Sequence, residues 1–281
     1  MRLGISLPTR QADGRALGIA QVMERAALLE RLGFDGIWLG ESIGRTQWPV
    51  PDPLGYLTAA TAATQRVELG TCILQVPLRH PVELAQRLMT LHALSGGRFR
   101  AGLGSGSTRA DFDAVGVAYD DRFKLLARAL PTIRALCRGE PSGGATLRPW
   151  PDMAGGPPIL IGSWHSGRWV RRAAIEYDGW IASGMFDTFR QLREGIQRYR
   201  DAGGTRALVS TIRVNLHAPR SPFNDDTRFD LECGPDEAAE RLARLAELGY
   251  DDALLSRANA SPADLPEDDL AHIRALVPSS G

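Results

Sequence analysis

Short apolar runs alternate with amphipathic stretches along nearly the whole chain. This alternation limits the possible folds more than any other property of the sequence. Residues 2–7 (RLGISL) form a first strand-like run that stops at Pro8. Residues 17–32 place Ile19, Val22, Met23, Ala26, Leu29 and Leu32 on one helical face, and Gly33 supplies the stop. A second strand is predicted over 35–39 (DGIWL), then a helix over 52–64 with Asp52 as N-cap and Pro53 in the first turn. Strand three covers 67–73, and its helix over 81–94 runs into Ser95-Gly96-Gly97. Strand four covers 98–103, with its helix over 122–137. Further strands are predicted over 158–161, 179–182, 207–214 and 252–255, with helices over 167–177, 188–202, 235–248 and 264–276.

About eight strands alternating with about eight helices require parallel strands joined by right-handed crossovers. Eight such units in 281 residues fit a (β/α)8 TIM barrel, with an open doubly wound sheet as the alternative. No break in composition divides the chain, so one barrel domain is expected over residues 1–281. Its loop insertions fall near 139–157, rich in Gly and Pro, and near 217–234, polar with Pro punctuation. The second follows strand seven on the face where barrel active sites sit, and it reads as either a lid or a surface loop.

Lys+Arg and Asp+Glu cancel at 33 each, so no basic field invites nucleic acid. Three cysteines without a CxxC argue against a disulfide framework or a zinc site. The five histidines show no HxH or HExxH spacing, so no metal is expected. The first residues, MRLGISLPTR, contain no long apolar core, and no run approaches the length of a membrane span. A soluble, cytoplasmic protein is the expectation.

Four segments carry polar chemistry at the ends of strands. GTCILQVPLRHP (70–81) begins as a buried strand, then places two prolines and Arg79-His80 where a tight turn belongs. GLGSGS (102–107) follows strand four and offers either an anion nest or a plain flexible turn. It is neither a GxGxxG fingerprint nor a P-loop. IGSWHSG (161–167) precedes a helix and reads as an anion site or as a capping turn with Ser163 or Ser166 as the cap. WLGES (38–42) ends strand two, and in a barrel a carboxylate there projects into the mouth. Glu41 is thus a candidate acid or base, a polar anchor, or half of an ion pair with an arginine.

Together these segments resemble the luciferase-like monooxygenase superfamily, in particular its coenzyme F420 (deazaflavin)-dependent branch. The resemblance rests on LGFDGIWLGES, on VELGTCILQVPLRHPVELAQRLMTLHALSGGRFRAGLGSGS and on PPILIGSWHSGRWVRRAAIEYDGWI, and it fades beyond about residue 205. It implies a (β/α)8 barrel with a flavin or deazaflavin at the C-terminal face. The phosphate end would lie between Gly104, Ser105, Gly106 and Ser107 on one side and Gly162, Ser163 and Trp164 on the other. The family's third strand often ends in a bulge with a non-prolyl cis peptide against the ring. The matching bond is Cys72–Ile73, with Thr71 beside it.

Many members carry an acidic residue followed by His at the end of strand two, where this chain has Glu41-Ser42. Glu41 is therefore the candidate catalytic group. Members with an acidic residue after the strand-four glycines would place it near Ser107. The substrate mouth is expected among Pro8, Trp38, Glu41, Trp48 and the 217–234 loop. The resemblance implies a homodimeric F420-dependent oxidoreductase that passes a hydride between the deazaflavin and a small organic substrate. The alternatives are an FMN-dependent monooxygenase fed by a separate reductase, and a flavin-binding protein without turnover.

Overall fold

In the computed structural model, which describes residues 1–11, 13–44, 50–257 and 265–278, the sheet closes through its first and last strands. Strand β1 (Arg2–Ser6) pairs in parallel with β2 (Gly36–Leu39) on one side and β10 (Asp252–Arg257) on the other. From β2 the order runs through β3 (Glu68–Thr71), β5 (Phe99–Gly104), β6 (Ile159–Gly162), β7 (Gly179–Ser183) and β8 (Ala207–Asn215). β8 pairs back to β10, so eight parallel strands form the barrel. Two short strands lie outside this ring: β4 (Leu74–Gln75) pairs β5, and β9 (Leu231–Glu232) pairs β8. The closed barrel is the architecture the alternation predicts.

Helices α1 (Ile19–Arg31), α2 (Pro53–Thr61), α3 (Pro81–Leu94), α5 (Arg122–Cys137), α6 (Arg168–Glu176), α7 (Phe189–Asp201), α8 (Pro235–Glu247) and α9 (Glu267–Ala275) connect or follow the strands. Bounds are sharpest where local chemistry sets them. Asp52 caps α2 by accepting from the Leu54 N–H at 2.9 Å, and Thr188 with Gln191 forms a capping box at α7. The N-cap of α6 is Gly167, with no side-chain bond, so neither Ser163 nor Ser166 caps it. Helix α4 (Arg109–Ala114) has no counterpart among the predicted elements, because six residues are too few to show a period.

Two apolar layers hold the barrel. The larger lies between strands and helices and contains Ile37, Leu39, Leu69, Leu74 and Val76. The smaller fills the barrel interior with Trp38, Leu160, Ile181, Leu208 and Leu254. Trp38 fits because three neighbours lack side chains: a Cβ at Gly4, Gly36 or Gly70 would collide with its indole. At the N-terminal ends of the strands, Arg2, Glu68, Arg100, Arg206 and Asp252 form a joined ion-pair cluster that closes the bottom.

The 217–234 loop is tied to α8. Arg241, 1 % exposed, donates to the Ser221 carbonyl at 2.6 Å, to the Asp230 carboxylate at 3.0 Å and to Glu237 at 2.7 Å. Among the described residues, no helix is long and apolar enough to cross a membrane.

Candidate functional site

Strand β3 stops at Thr71, and Cys72 and Ile73 leave the ladder before β4 resumes it. The Cys72–Ile73 bond is cis. Leu69 pairs Phe99 but Leu74 pairs Leu103, so one extra residue has entered the strand: a bulge, as the resemblance implies. Both bulge side chains pack onto the interior cluster around Trp38. The seat of Ile73 explains two of the motif glycines. A Cβ at Gly104 would stand 3.1 Å from Ile73 Cδ1, and one at Gly162 would collide with Ile73 Cγ2. Two of the three segments that carry the resemblance thus meet at one side chain.

Above this seat, at the C-terminal ends of the strands, lies a cavity of about 430 Å³. Its walls include Glu41, Cys72, Ile73, Gly104, Ser105, Gly106 and Ser107, together with Gly162, Ser163 and Trp164. Three expected residues are placed elsewhere or lie outside the description. Thr71 is fully buried and spends its hydroxyl on the Gly102 carbonyl at 2.8 Å, beneath the cavity. Trp38, 1 % exposed, fills the barrel interior and does not reach the mouth, because the glycines of three strands draw it inward. Trp48 lies outside the described residues. Neither Pro8 nor any residue of the 217–234 loop is among the lining residues.

Glu41 is 3 % exposed, and both of its oxygens are taken. Arg79 donates Nη1 to Oε2 at 2.9 Å and Nη2 to Oε1, and the Gln75 N–H donates to Oε2 at 2.8 Å. Burial works against the Arg79 guanidinium, but Glu41 more than offsets it and pushes its pKa up. In this arrangement Glu41 accepts from the guanidinium and from a backbone N–H. It anchors the segment just after the bulge.

Sequence reasoning missed Asp111, on α4 and 1 % exposed. Its Oδ1 accepts from Ser42 Oγ at 3.2 Å, the Ile43 N–H at 2.9 Å and the Gly44 N–H at 2.7 Å. Its Oδ2 accepts from Gln75 Nε2 at 2.7 Å. One carboxylate therefore joins the loop after β2, the strand after the bulge and the loop after β5. Its partners lie 36 to 69 residues away, so no local pattern announces it. The oxygen of the same Gln75 amide, Oε1, is buried without a partner.

Arg122, also missed, is the one basic residue among the described residues lining the cavity. It donates to the Tyr119 carbonyl at 3.1 Å and lies over the Tyr119 ring at 3.9 Å and the Phe123 ring at 4.4 Å. No carboxylate pairs with it among the described residues. A cation at the first turn of a helix, on the C-terminal face of a barrel, is the signal that would have found it. Cys72 carries no such activation, since burial pushes its thiol up to about 12 and keeps it protonated. His165 finds an acid partner in buried Asp187, Nδ1 to Oδ1 at 2.8 Å, which links the loop after β6 to the loop after β7. Its ring is not part of the cavity wall.

The arrangement suits a flat ring with an anionic tail. Cys72 and Ile73 give an apolar shelf, while Ser107, Thr108, Ser163 and Arg122 give donors and positive charge. Among the described residues, no group of three or more His, Cys, Asp and Glu is placed to hold a metal ion.

A parallel eight-stranded barrel with its cavity at the C-terminal face defines a TIM-barrel protein. The luciferase-like monooxygenase family model matches residues 1–228, and the chain belongs to that family. Among curated relatives, it is 30% identical to the 4-hydroxyprotoasukamycin monooxygenase of Streptomyces nodosus subsp. asukaensis over 52% of this chain and 42% of that one. It is 35% identical to the limonene 1,2-monooxygenase of Rhodococcus erythropolis over 47% and 35%. The match thus spans less than half the length of either monooxygenase. An F420-dependent glucose-6-phosphate dehydrogenase of Microbacterium testaceum is 28% identical over 88% of this chain and 90% of its own. Solved structures share the fold. An F420-dependent secondary alcohol dehydrogenase in complex with an F420-acetone adduct superposes with TM-score 0.75 at 15% identity, covering 99% and 98% of the two chains. The FMN-bound oxygenating constituent of 3,6-diketocamphane monooxygenase from Pseudomonas putida gives 0.75 at 17% identity, covering 98% and 97%.

Proposed function

We propose that the chain is an F420-dependent oxidoreductase that moves a hydride between the deazaflavin and a small organic substrate. The observation that carries this reading is the seat of Ile73 on the bare backbone of Gly104 and Gly162, beside a cavity whose one described basic lining residue has no carboxylate partner among the described residues. An apolar shelf of Cys72 and Ile73, with Arg122 unpaired by any carboxylate among the described residues, fits a flat ring bearing a phosphate. A bound deazaflavin supplies the hydride chemistry itself.

The chain's own residues bind, orient and shield. Cys72 and Ile73 form the shelf under one face of the ring, and the protonated Cys72 thiol stays out of the chemistry. Ser107, Thr108, Ser163 and Arg122 take the phosphate end. Glu41, through Arg79 and the Gln75 N–H, keeps the bulge in place, and Asp111 keeps the 42–44 loop over it. With Glu41 fully paired, the movable proton at the end of β2 is that of the Ser42 hydroxyl, held on Asp111 Oδ1.

F420 is favoured over FMN by the F420-dependent relative that aligns along 90% of its own length. The second reading, an FMN-dependent monooxygenase served by a separate reductase, draws support from the two monooxygenase relatives, which match over shorter stretches. Titration of the purified protein with F420 and with FMN, followed by cofactor fluorescence, separates them. Tight F420 binding is expected, weakened about tenfold or more in Gly162→Ala, whose Cβ takes the place of Ile73. Tight FMN binding without F420 affinity overturns the reading in favour of the second, and affinity for neither overturns both.

A further inference from the structure

The rim of the cavity is apolar and stands in water. Trp164, on the loop after β6, is 51% exposed, and Phe186, on the loop after β7, is 48% exposed. Their rings lie 5.8 Å apart, tilted at 49°. Phe123 at the start of α5 and Val50 before α2, each 39% exposed, extend the rim, and Met185 joins it. Large apolar side chains grouped at the edge of one cavity and left half in water mark a place where an apolar body docks.

The charges of the cavity point the same way. Its two deep carboxylates, Glu41 and Asp111, are each saturated by donors from the protein itself, so neither is free to meet a cation. Arg122 is the only basic residue among the described lining residues, and a cofactor phosphate would occupy it. Among the described lining residues, a molecule entering over the ring then finds no unpaired charge of either sign. An ion brought there loses water and gains no counter-charge from the described residues, an unfavourable exchange. A neutral ring loses little and gains contact with two aromatic faces.

We propose that the substrate of this site is an uncharged, largely apolar ring compound, held against the Trp164–Phe186 pair at the mouth. This rests on the oxidoreductase reading above for its cofactor, and on the rim and the saturated carboxylates for everything else. A sugar phosphate, or any substrate bearing an anion of its own, finds no second cation among the described residues of these walls.

The test uses the protein loaded with whichever of F420 or FMN it takes up. Three probes share a cyclohexyl ring and differ in the charge of its substituent: methyl cyclohexanecarboxylate, cyclohexanecarboxylate and cyclohexylmethylammonium. Calorimetry should show the neutral ester binding at least about tenfold more tightly than either ion. Phe186→Ala should weaken the ester about fivefold, and Phe186→Arg should shift the preference to the carboxylate. Because Phe186 is half exposed, both variants should keep the parent melting temperature, which is measured alongside. Binding of either ion as tight as the ester, no binding of the ester, or an unchanged ester affinity in Phe186→Ala overturns the inference. Failure to bind either cofactor is seen before any probe is added and strikes the functional reading instead.

Discussion

Replacing Asp111 with alanine tests whether one buried carboxylate holds the loops of the cavity together. Four donors lose their acceptor: Ser42 Oγ, the Ile43 and Gly44 N–H groups, and Gln75 Nε2. The two backbone groups sit in a loop that water reaches, so each costs about 0.5–1.5 kcal/mol. The Ser42 hydroxyl can rotate to water and adds little. Gln75 is 3% exposed, and its amide nitrogen, left buried without an acceptor, costs about 1–3 kcal/mol. No longer burying a carboxylate returns part of this. The expected loss is about 3 kcal/mol, read by urea unfolding with far-UV circular dichroism and a check that the m-value is unchanged. Asp111→Asn is the informative control. Its carbonyl can still receive the loop donors. Gln75 can then turn its amide so that Oε1, now without a partner, accepts from the new side-chain NH2. That variant should lose only about 1 kcal/mol. An Asp111→Ala protein within about 0.5 kcal/mol of the parent, or an Asn variant as damaged as the Ala one, would refute the reasoning.

Three further outcomes follow from contacts elsewhere. Arg206→Met should cost about 3–5 kcal/mol near neutral pH, because Glu68 and Asp252 lose their shared partner. Burial already raises Asp252, with Arg206 and Arg2 offsetting only part, so without Arg206 its pKa rises further. A raised carboxyl stabilises the fold at low pH and less as pH climbs, so the deficit in melting temperature should shrink on acidification toward about pH 4.5. Arg241→Met should leave the barrel folded but raise hydrogen exchange across residues 217–234, since the buried guanidinium is what ties Ser221, Asp230 and Glu237 together; unchanged exchange would mean the loop is held by other contacts. Cys72, pushed up to about 12 from an ordinary 9.0, should react with iodoacetamide about a thousandfold more slowly near pH 8 than in the urea-unfolded chain, read by mass spectrometry of its peptide. Its neutral thiol favours the folded state, a contribution present below about pH 9 and lost as pH rises toward 12.

The barrel was legible because its signal is local and repeated. Apolar period, Asp52 before Pro53, and the Ser95-Gly96-Gly97 stop each act within a few residues, and α3 and α5 fall at their predicted bounds. The resemblance located the bulge, and the glycines of GLGSGS and IGSWHSG do converge on it. What could not be read were relations that exist only after closure. Trp38 looks like a mouth residue beside Glu41 until the register sets Gly4, Gly36 and Gly70 around it. Glu41 has three readings in the sequence, and which arginine pairs with it is fixed only when Arg79, 38 residues on, is folded against it. Asp111 has no motif at all, because its four donors come from two other segments.

The bulge has a consequence for parity. Along β3 and beyond, Leu69 faces the helices, Gly70 the interior, and Leu74 the helices again. Gln75 then faces the cavity. Cys72 and Ile73 both face inward. A regular strand cannot offer two consecutive side chains to one side. The chain carries one residue more than the sheet needs, and that surplus residue is Ile73. Deleting it would leave every flanking residue on its present side and the ladder in step. The seat between Gly104 and Gly162 would be bare. In this barrel, then, the instruction for the fold and the instruction for the site differ by a single inserted residue.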